Sequence, residues 1–355
     1  MKPYLLNEYG NASQPYSFAR SSKKALKKSR EIIAQCIGAL PEEIYFTSCG
    51  TESDNWVIYG AAKSNMPILT SSIEHHAILR PCEEVQGLNR NLALLPVSKE
   101  GLVSVESANV NMQDSCGLLS VMFANNEIGT IQPIKDLAKA AHEKGWLFHT
   151  DAVQAVGHVS IDVHELGIDM LSASAHKFNG PKGIGFLYIK KGIKLPALIK
   201  GGMQESGYRA GTENVASIVG MAIALEENVG IMGDTNLHLQ NLETRLLDGL
   251  RHKGLIFKRN GAPSHIYGNL SLSFAGQSGE TLLHRLDLNG VFVSTGSACD
   301  SRITQVSHVL KAIGLEECLA KGTIRISLGR YNNADDVEYL VECLGKTVLD
   351  NKLSE

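Results

Sequence analysis

Short apolar runs alternate with amphipathic helical stretches through the first half of the chain, and nothing else in the sequence limits the fold as much. The runs fall at residues 44–47, 68–70, 118–123, 146–151, 168–171 and 185–189. Their length suits strands, and their nearly unbroken apolarity suits strands buried on both faces. Helical periodicity lies between them, at 17–37, from 48 through 59, near 77–85 and at 137–143. This alternation predicts an α/β fold with a mostly parallel sheet and helices on both faces. Ligands of such sheets collect at the carboxyl ends of the strands. From Thr212 the texture changes to long helices reaching about Gly254, with a softer break at 230–233. Residues 270–274 and 323–328 then alternate as half-buried strands, accompanied by helices at 280–286, 306–313 and 335–349. A chain of 355 residues accommodates two domains. The change of texture sets them at 1–252, a large α/β domain, and 253–355, a smaller C-terminal α+β domain.

Charge and cysteine usage narrow the function. The formal net charge is -3, so there is no electrostatic reason to expect nucleic acid or an anionic membrane surface as partner. The apolar run at 215–225 is broken by Glu226-Glu227 and is too short to span a bilayer. No apolar signal core follows Met1-Lys-Pro-Tyr4. Seven cysteines, at 36, 49, 82, 116, 299, 318 and 343, include no CxxC pair. Their odd number and spacing argue against a disulfide framework or a zinc site, and for a reducing, cytoplasmic setting.

The stretch Ser172-Ala-Ser-Ala-His-Lys-Phe-Asn-Gly-Pro-Lys-Gly-Ile-Gly-Phe186 lies between two apolar runs, with Lys177 at its centre. A lysine desolvated there, or set near other cations, would lose its proton more readily and become a nucleophile. Such an amine forms Schiff bases with carbonyl compounds, above all pyridoxal phosphate (PLP). The residue alone serves equally well as a surface lysine in a Gly-rich turn. The glycines match neither Walker nor dinucleotide spacing.

Other candidates also fall just after expected strands. Asp151 could cap the next helix or, in a PLP site, keep the pyridine nitrogen protonated. Gln154 could then hydrogen-bond the ring's phenolic oxygen. Gly50-Thr51 opens a helix after a strand, either an ordinary helix start or a phosphate cradle, to which Ser174 and His176 could add donors. His75 could stack on the ring and shuttle protons, or be a core histidine. Asn126 could bind cofactor or substrate, or only shape a turn. Cys299, among small and polar residues, reads as an exposed loop thiol able to attack sulfur. The other cysteines read as structural.

Ten segments carry a resemblance that spans nearly the whole chain. They are Gly10-Asn-Ala-Ser13, Phe46-Thr-Ser-Cys-Gly-Thr-Glu-Ser-Asp-Asn55, Glu74-His75, Asn125-Asn-Glu-Ile-Gly129, Asp151-Ala-Val-Gln-Ala-Val-Gly157, Ser174-Ala-His-Lys177, Gly180-Pro-Lys-Gly-Ile-Gly185, Arg209-Ala-Gly-Thr-Glu-Asn214, Ser297-Ala-Cys299 and Ile324-Arg-Ile-Ser-Leu-Gly-Arg330. In this order the sequence resembles the cysteine desulfurases of the NifS/IscS type, within the class V aminotransferases. The resemblance implies a PLP-dependent transferase of fold type I and a homodimer with shared active sites. It assigns Lys177 the covalent link to PLP, Asp151 the pyridine nitrogen, Gln154 the phenolic oxygen and His75 the ring stack. Gly50, Thr51, Ser174 and His176 would hold the phosphate, with Thr212 supplied by the other subunit. Asn126 and Arg325 would bind the substrate carboxylate, which suits an arginine fork. Cys299 would carry the persulfide, in the longer-loop subgroup.

The implied reaction converts L-cysteine to L-alanine and passes sulfur to an acceptor such as an iron–sulfur scaffold protein. Selenocysteine lyase, cysteine sulfinate desulfinase and a non-catalytic sulfur-relay subunit are the competing readings. Ser206 stands where the family commonly has arginine, and Asp300 and Arg302 are less usual after the cysteine. Against the family pattern the chain is expected to open at the end of the family's first helix, without the Asp-Asn-Ala-Ala-Thr-Thr-like stretch that precedes it beside the active site.

Overall fold

A computed structural model describes residues 1–87, 92–113, 116–296 and 306–350. Two compact units emerge, the first made of residues 1–95, 103–123 and 132–232. Its centre is a seven-stranded sheet of β1 (Ile44–Thr47), β2 (Ile68–Ser71), β3 (Leu92–Leu95), β4 (Leu118–Ser120), β5 (Leu147–Asp151), β6 (Met170–Ser174) and β7 (Gly185–Ile189). The spatial order is β1-β7-β6-β5-β4-β2-β3. Pairings from β3 through β6 are parallel, whereas β7 runs antiparallel to both β6 and β1. The sheet is therefore mostly parallel, as the alternation of runs and helices requires.

Every residue of β2, β4, β6 and β7 is buried, because helices cover both faces. One covering element is the Gly50–Lys63 helix, which buries Trp56, Val57, Ile58 and Ala61. They join Ile68, Ile78, Val85, Leu118, Met170 and Leu187 in one apolar cluster. At a typical 1.5–3 kcal/mol per large side chain, such clusters dominate the favourable side of folding. The edge strand β3 and the Val105–Asn111 helix are absent from the sequence reading. Leu94 of β3 is half exposed, so no clean pattern marks that strand.

The second unit comprises residues 96–102, 124–131 and the chain from 233 onward. Its antiparallel sheet is ordered β10-β9-β8, with β8 (Lys258–Asn260), β9 (Asn269–Ser273) and β10 (Thr323–Ser327). Leu242, Leu246 and Leu250 of the Met232–His252 helix pack with Leu270, Leu272, Leu282, Ile324 and Leu344. That packing explains why this unit takes the helix from Gly233 onward, in contrast to the boundary at 253 expected from texture. Among the described residues, no single helix is long and apolar enough to cross a membrane.

Candidate active site

At the carboxyl end of the large sheet, strand periodicity decides which side chains meet. His149 and Asp151 are two apart on β5 and share a face. Ser120 lies opposite His149 on β4, and Ser172 opposite Asp151 on β6. His149 is fully buried between two hydroxyls, with Ser120 Oγ 2.8 Å from Nδ1 and Ser172 Oγ 3.0 Å from Nε2. Burial drops its pKa to about 3, so the ring is neutral. Asp54, reaching in from the Gly50–Lys63 helix, places Oδ1 3.8 Å from His149 Nε2. Its own burial, then the charge of Asp151, push its carboxyl well above the ordinary range. Asp151 is likewise buried and is raised to about 6. A hydrogen bond from the Val153 N–H at 2.9 Å and the charge of Lys177 act against that burial. With His149 neutral, the charge of this group rests on its two carboxyls, and Asp151 is the one that the charge of Lys177 favours as the anion. Gln154 is half-buried in the turn that follows.

Lys177 lies on the connection from β6 to antiparallel β7, in a short 3₁₀ turn, Ala175–Phe178, that closes at Asn179 with φ 64°. Buried Ala175 and Phe178 anchor the turn, and Asn228 Nδ2 donates to the Phe178 carbonyl at 2.7 Å. The Lys177 carbonyl faces His158 Nε2 at 2.8 Å. The Lys177 side chain itself is exposed.

The Gly50–Lys63 helix begins directly after β1. Cys49, its N-cap, is extended and gives no side-chain cap, so the first backbone N–H groups are left to another acceptor. A Cβ at Gly50 would lie 2.4 Å from Val153 Cγ2, so only glycine fits there. Thr51 is exposed beside it, and Ser174 Oγ lies 2.9 Å from His176 Nδ1. Burial and the charges of Lys177 and Lys182 lower the pKa of His176, keeping it neutral. Just before the His76–Gly87 helix, His75 Nδ1 accepts the Ala77 N–H at 3.1 Å, which puts the proton of the neutral ring on Nε2. Its neighbour Glu74 is fully buried, accepts from Met122 N and Ser71 Oγ, and is raised by burial to about 8.

Thr212 is exposed and lines a cavity of about 230 Å³ with Phe46, Ser48, Glu205 and Arg209. Arg209 Nε pairs with Glu52 at 2.9 Å, and Arg30 grips Glu205 at 2.6 Å. Glu205 and Ser206 both have positive φ, 46° and 57°. The serine that departs from the family's arginine thus sits in a left-handed turn.

Within the second unit, Arg325 of β10 and Asn126 are brought together: Arg325 Nη1 donates to the Asn126 carbonyl at 3.0 Å. Asn269 Nδ2 supports the same oxygen at 3.3 Å. Next to them, Glu127 is raised to about 7 by burial, against a hydrogen bond from Ser307 and the charge of Arg325. Cys299, with Asp300 and Arg302, lies outside the described residues.

The class-V aminotransferase family model matches residues 1–340. The cysteine desulfurase IscS of Clostridium botulinum is 47% identical over 355 residues, covering 98% of this chain and 89% of that protein. This chain belongs to the class-V aminotransferases, in the NifS/IscS-type group. A solved NifS-like protein superposes with TM-score 0.92 at 35% identity, covering 98% of this chain and 94% of that one. Another, SspA in complex with cysteine, gives TM-score 0.83 at 34% identity, covering 94% of each.

The family depends on PLP, and the residues present fit it. Asp151 is a buried carboxyl that a protonated ring nitrogen would stabilise as the anion. The glycine-only helix start, uncapped by side chains, suits a phosphate. Asp54, Glu74, His149 and Glu127 received no role from sequence reasoning, although all but His149 fall inside the family-like segments. The period-2 rule on β5 was the available signal for His149.

Proposed function

We propose that this chain converts L-cysteine to L-alanine and leaves the sulfur on Cys299 as a persulfide, for delivery to an acceptor such as an iron–sulfur scaffold protein. The observation that carries this reading is the turn that brings the charge of Lys177 to bear on buried Asp151. That turn belongs to a chain 47% identical to a cysteine desulfurase. PLP, when bound, supplies the sink for the electron pair released at the substrate's Cα. Lys177 Nζ would hold the cofactor and then move the Cα proton. Asp151 would keep a proton on the ring nitrogen, Gln154 would face the phenolic oxygen, and His75 would cover the ring. Gly50, Thr51, Ser174 and His176 would receive the phosphate, joined by Thr212 of the partner subunit in a homodimer.

Asn126 and Arg325 would orient the substrate carboxylate. The Cys299 thiolate attacks the substrate Sγ, and the Cβ–Sγ bond breaks with its electron pair going to carbon. Cβ takes a proton, giving alanine, and Cys299 is left as the –S–SH persulfide. The protein incubated with L-cysteine, PLP and a thiol reductant should release sulfide and alanine in equal amounts. Cys299→Ser should still bind PLP and L-cysteine but accumulate no protein-bound sulfane sulfur. A one-sulfur mass gain on Cys49 or Cys318 instead would move the carrier role.

A further inference from the structure

The turn that leads into Thr212 is held at points that the reaction as proposed does not use. Glu205, Ser206 and Gly207 lie in succession at positive φ, 46°, 57° and 82°. Left-handed residues other than glycine persist only where contacts hold them, and such strain gathers at functional sites. Here the hold comes from Glu205, whose side chain is 4% exposed. Its two oxygens accept from the Arg30 fork at 2.6 and 2.9 Å, a bidentate pair. Strand β1 ends the sheet, so one row of its backbone groups has no strand to bond. The Phe46 N–H donates to Glu205 Oε2 at 2.9 Å instead, and the Ile44 carbonyl accepts from Arg30. The Arg30 guanidinium also lies 4.4 Å from the centre of the Phe46 ring. Further along, Arg209 forks onto Glu52 at 2.9 and 3.2 Å, and Glu52 in turn accepts the Ser48 N–H at 2.7 Å. Gln204 Oε1 accepts the Gly211 N–H at 3.2 Å, which closes the turn immediately before exposed Thr212.

We propose that Glu205 is a positioning residue for the neighbouring subunit's site: fastened to Arg30 and to the free edge of β1, it fixes the turn from which Thr212 reaches the cofactor phosphate there. The proposal rests on the reading of Thr212 as a phosphate ligand supplied by the partner subunit. The Glu205 carboxylate would itself repel a phosphate, so its effect passes through the turn to Thr212. Alanine at 205 would release the Phe46 N–H and the Arg30 fork together and leave the left-handed turn without its hold. A lesion at Glu205 of one chain should therefore damage the site of the other.

Hydrogen exchange of the cofactor-free protein reads the hold directly. Glu205→Ala should speed exchange of the amides of residues 205–212 by about ten-fold or more, with the amides of β5 and β6 at native rates. Titrated by fluorescence, its dissociation constant for PLP should rise by roughly three-fold or more. Glu205→Ala should add little to Thr212→Ala in that titration, because both lesions act through one contact. Mixed with Lys177→Ala subunits under verified exchange, Glu205→Ala should recover activity to about a quarter of native, as Thr212→Ala should, since one site of the mixed dimer carries neither lesion. A Glu205 that served only its own chain's site would not complement in this way. Native exchange in the turn of Glu205→Ala overturns the proposal, as does an additive loss of PLP affinity, or recovery with Thr212→Ala but none with Glu205→Ala. No recovery with either variant defeats the reading of Thr212 and the proposal with it. Should Glu205→Ala fail to fold, Arg30→Ala cuts the same clamp from the Arg20–Cys36 helix and should give the same rise in exchange and the same complementation.

Discussion

Asp54, Glu74 and Asp151 place three buried carboxyls close enough for charge to pass between them, and burial raises the pKa of each. Glu74 gives the clearest consequence. Its folded-state pKa of about 8 lies above the value of about 4.3 expected in the unfolded chain. The folded protein thus holds a proton that the unfolded chain has released. The resulting stabilisation is full below about pH 4.3 and is lost as pH rises through about 8. Glutamine keeps an oxygen for Met122 N and Ser71 Oγ without titrating. Melts of the cofactor-free protein should therefore show Glu74→Gln gaining on the native chain between about pH 5 and 8, by an amount on the order of a few kcal/mol. Parallel pH curves would refute the assignment. Lys177→Ala should abolish turnover yet leave the phosphate cradle able to retain free PLP, measured by dialysis and absorbance; full activity would remove this lysine from its role. Lys177 and Asp151 were legible because unusual residues stood beside expected strand ends. Asp54 and Glu127 were not, because their neighbours in sequence do not reveal that they are buried against groups far along the chain.

The Gly50–Lys63 helix shows how an element, rather than a residue, builds the site. Its start is set by β1, its body is held by Trp56, Val57 and Ile58, and its first turn has room for no side chain against Val153. Gly50→Ala should force the helix start away from the end of β5 at a cost of about 1–3 kcal/mol, the usual penalty for overpacking. The dissociation constant for PLP should rise about ten-fold or more, as misaligned backbone donors lose their anion. Val153→Ala in the same chain empties the contested space and should recover most of the affinity, measured by fluorescence titration. Failure of that rescue would mean that the clash with Val153 is not the cause. The helices and buried strands were readable because length and apolar period coincide. The edge strand β3 was hidden by its exposed leucine, and the antiparallel run of β7 by the fact that a connection's length alone does not fix strand direction. The Met232–His252 helix was placed on the wrong side of a boundary that texture drew at 253, since only packing reveals which sheet its leucines serve.

At the scale of the whole molecule, the position of Thr212 bears on how many chains a site needs. It is exposed, opens the run into the Val215–Gly230 helix, and borders a cavity with Ser48 and Arg209 rather than following a sheet strand near Lys177. If its hydroxyl serves the phosphate of a neighbouring subunit, each site of a two-fold dimer draws Lys177 from one chain and Thr212 from the other. Thr212→Ala and Lys177→Ala proteins, each impaired alone, then complement when their subunits exchange. One site of the mixed dimer carries both lesions and the other carries neither. Equal mixing makes half the dimers mixed, so activity should recover to about a quarter of native under two-fold symmetry. Native mass spectrometry of differently tagged chains would report the exchange. Verified exchange with no recovery of sulfide release would mean that each chain builds its site from its own Thr212.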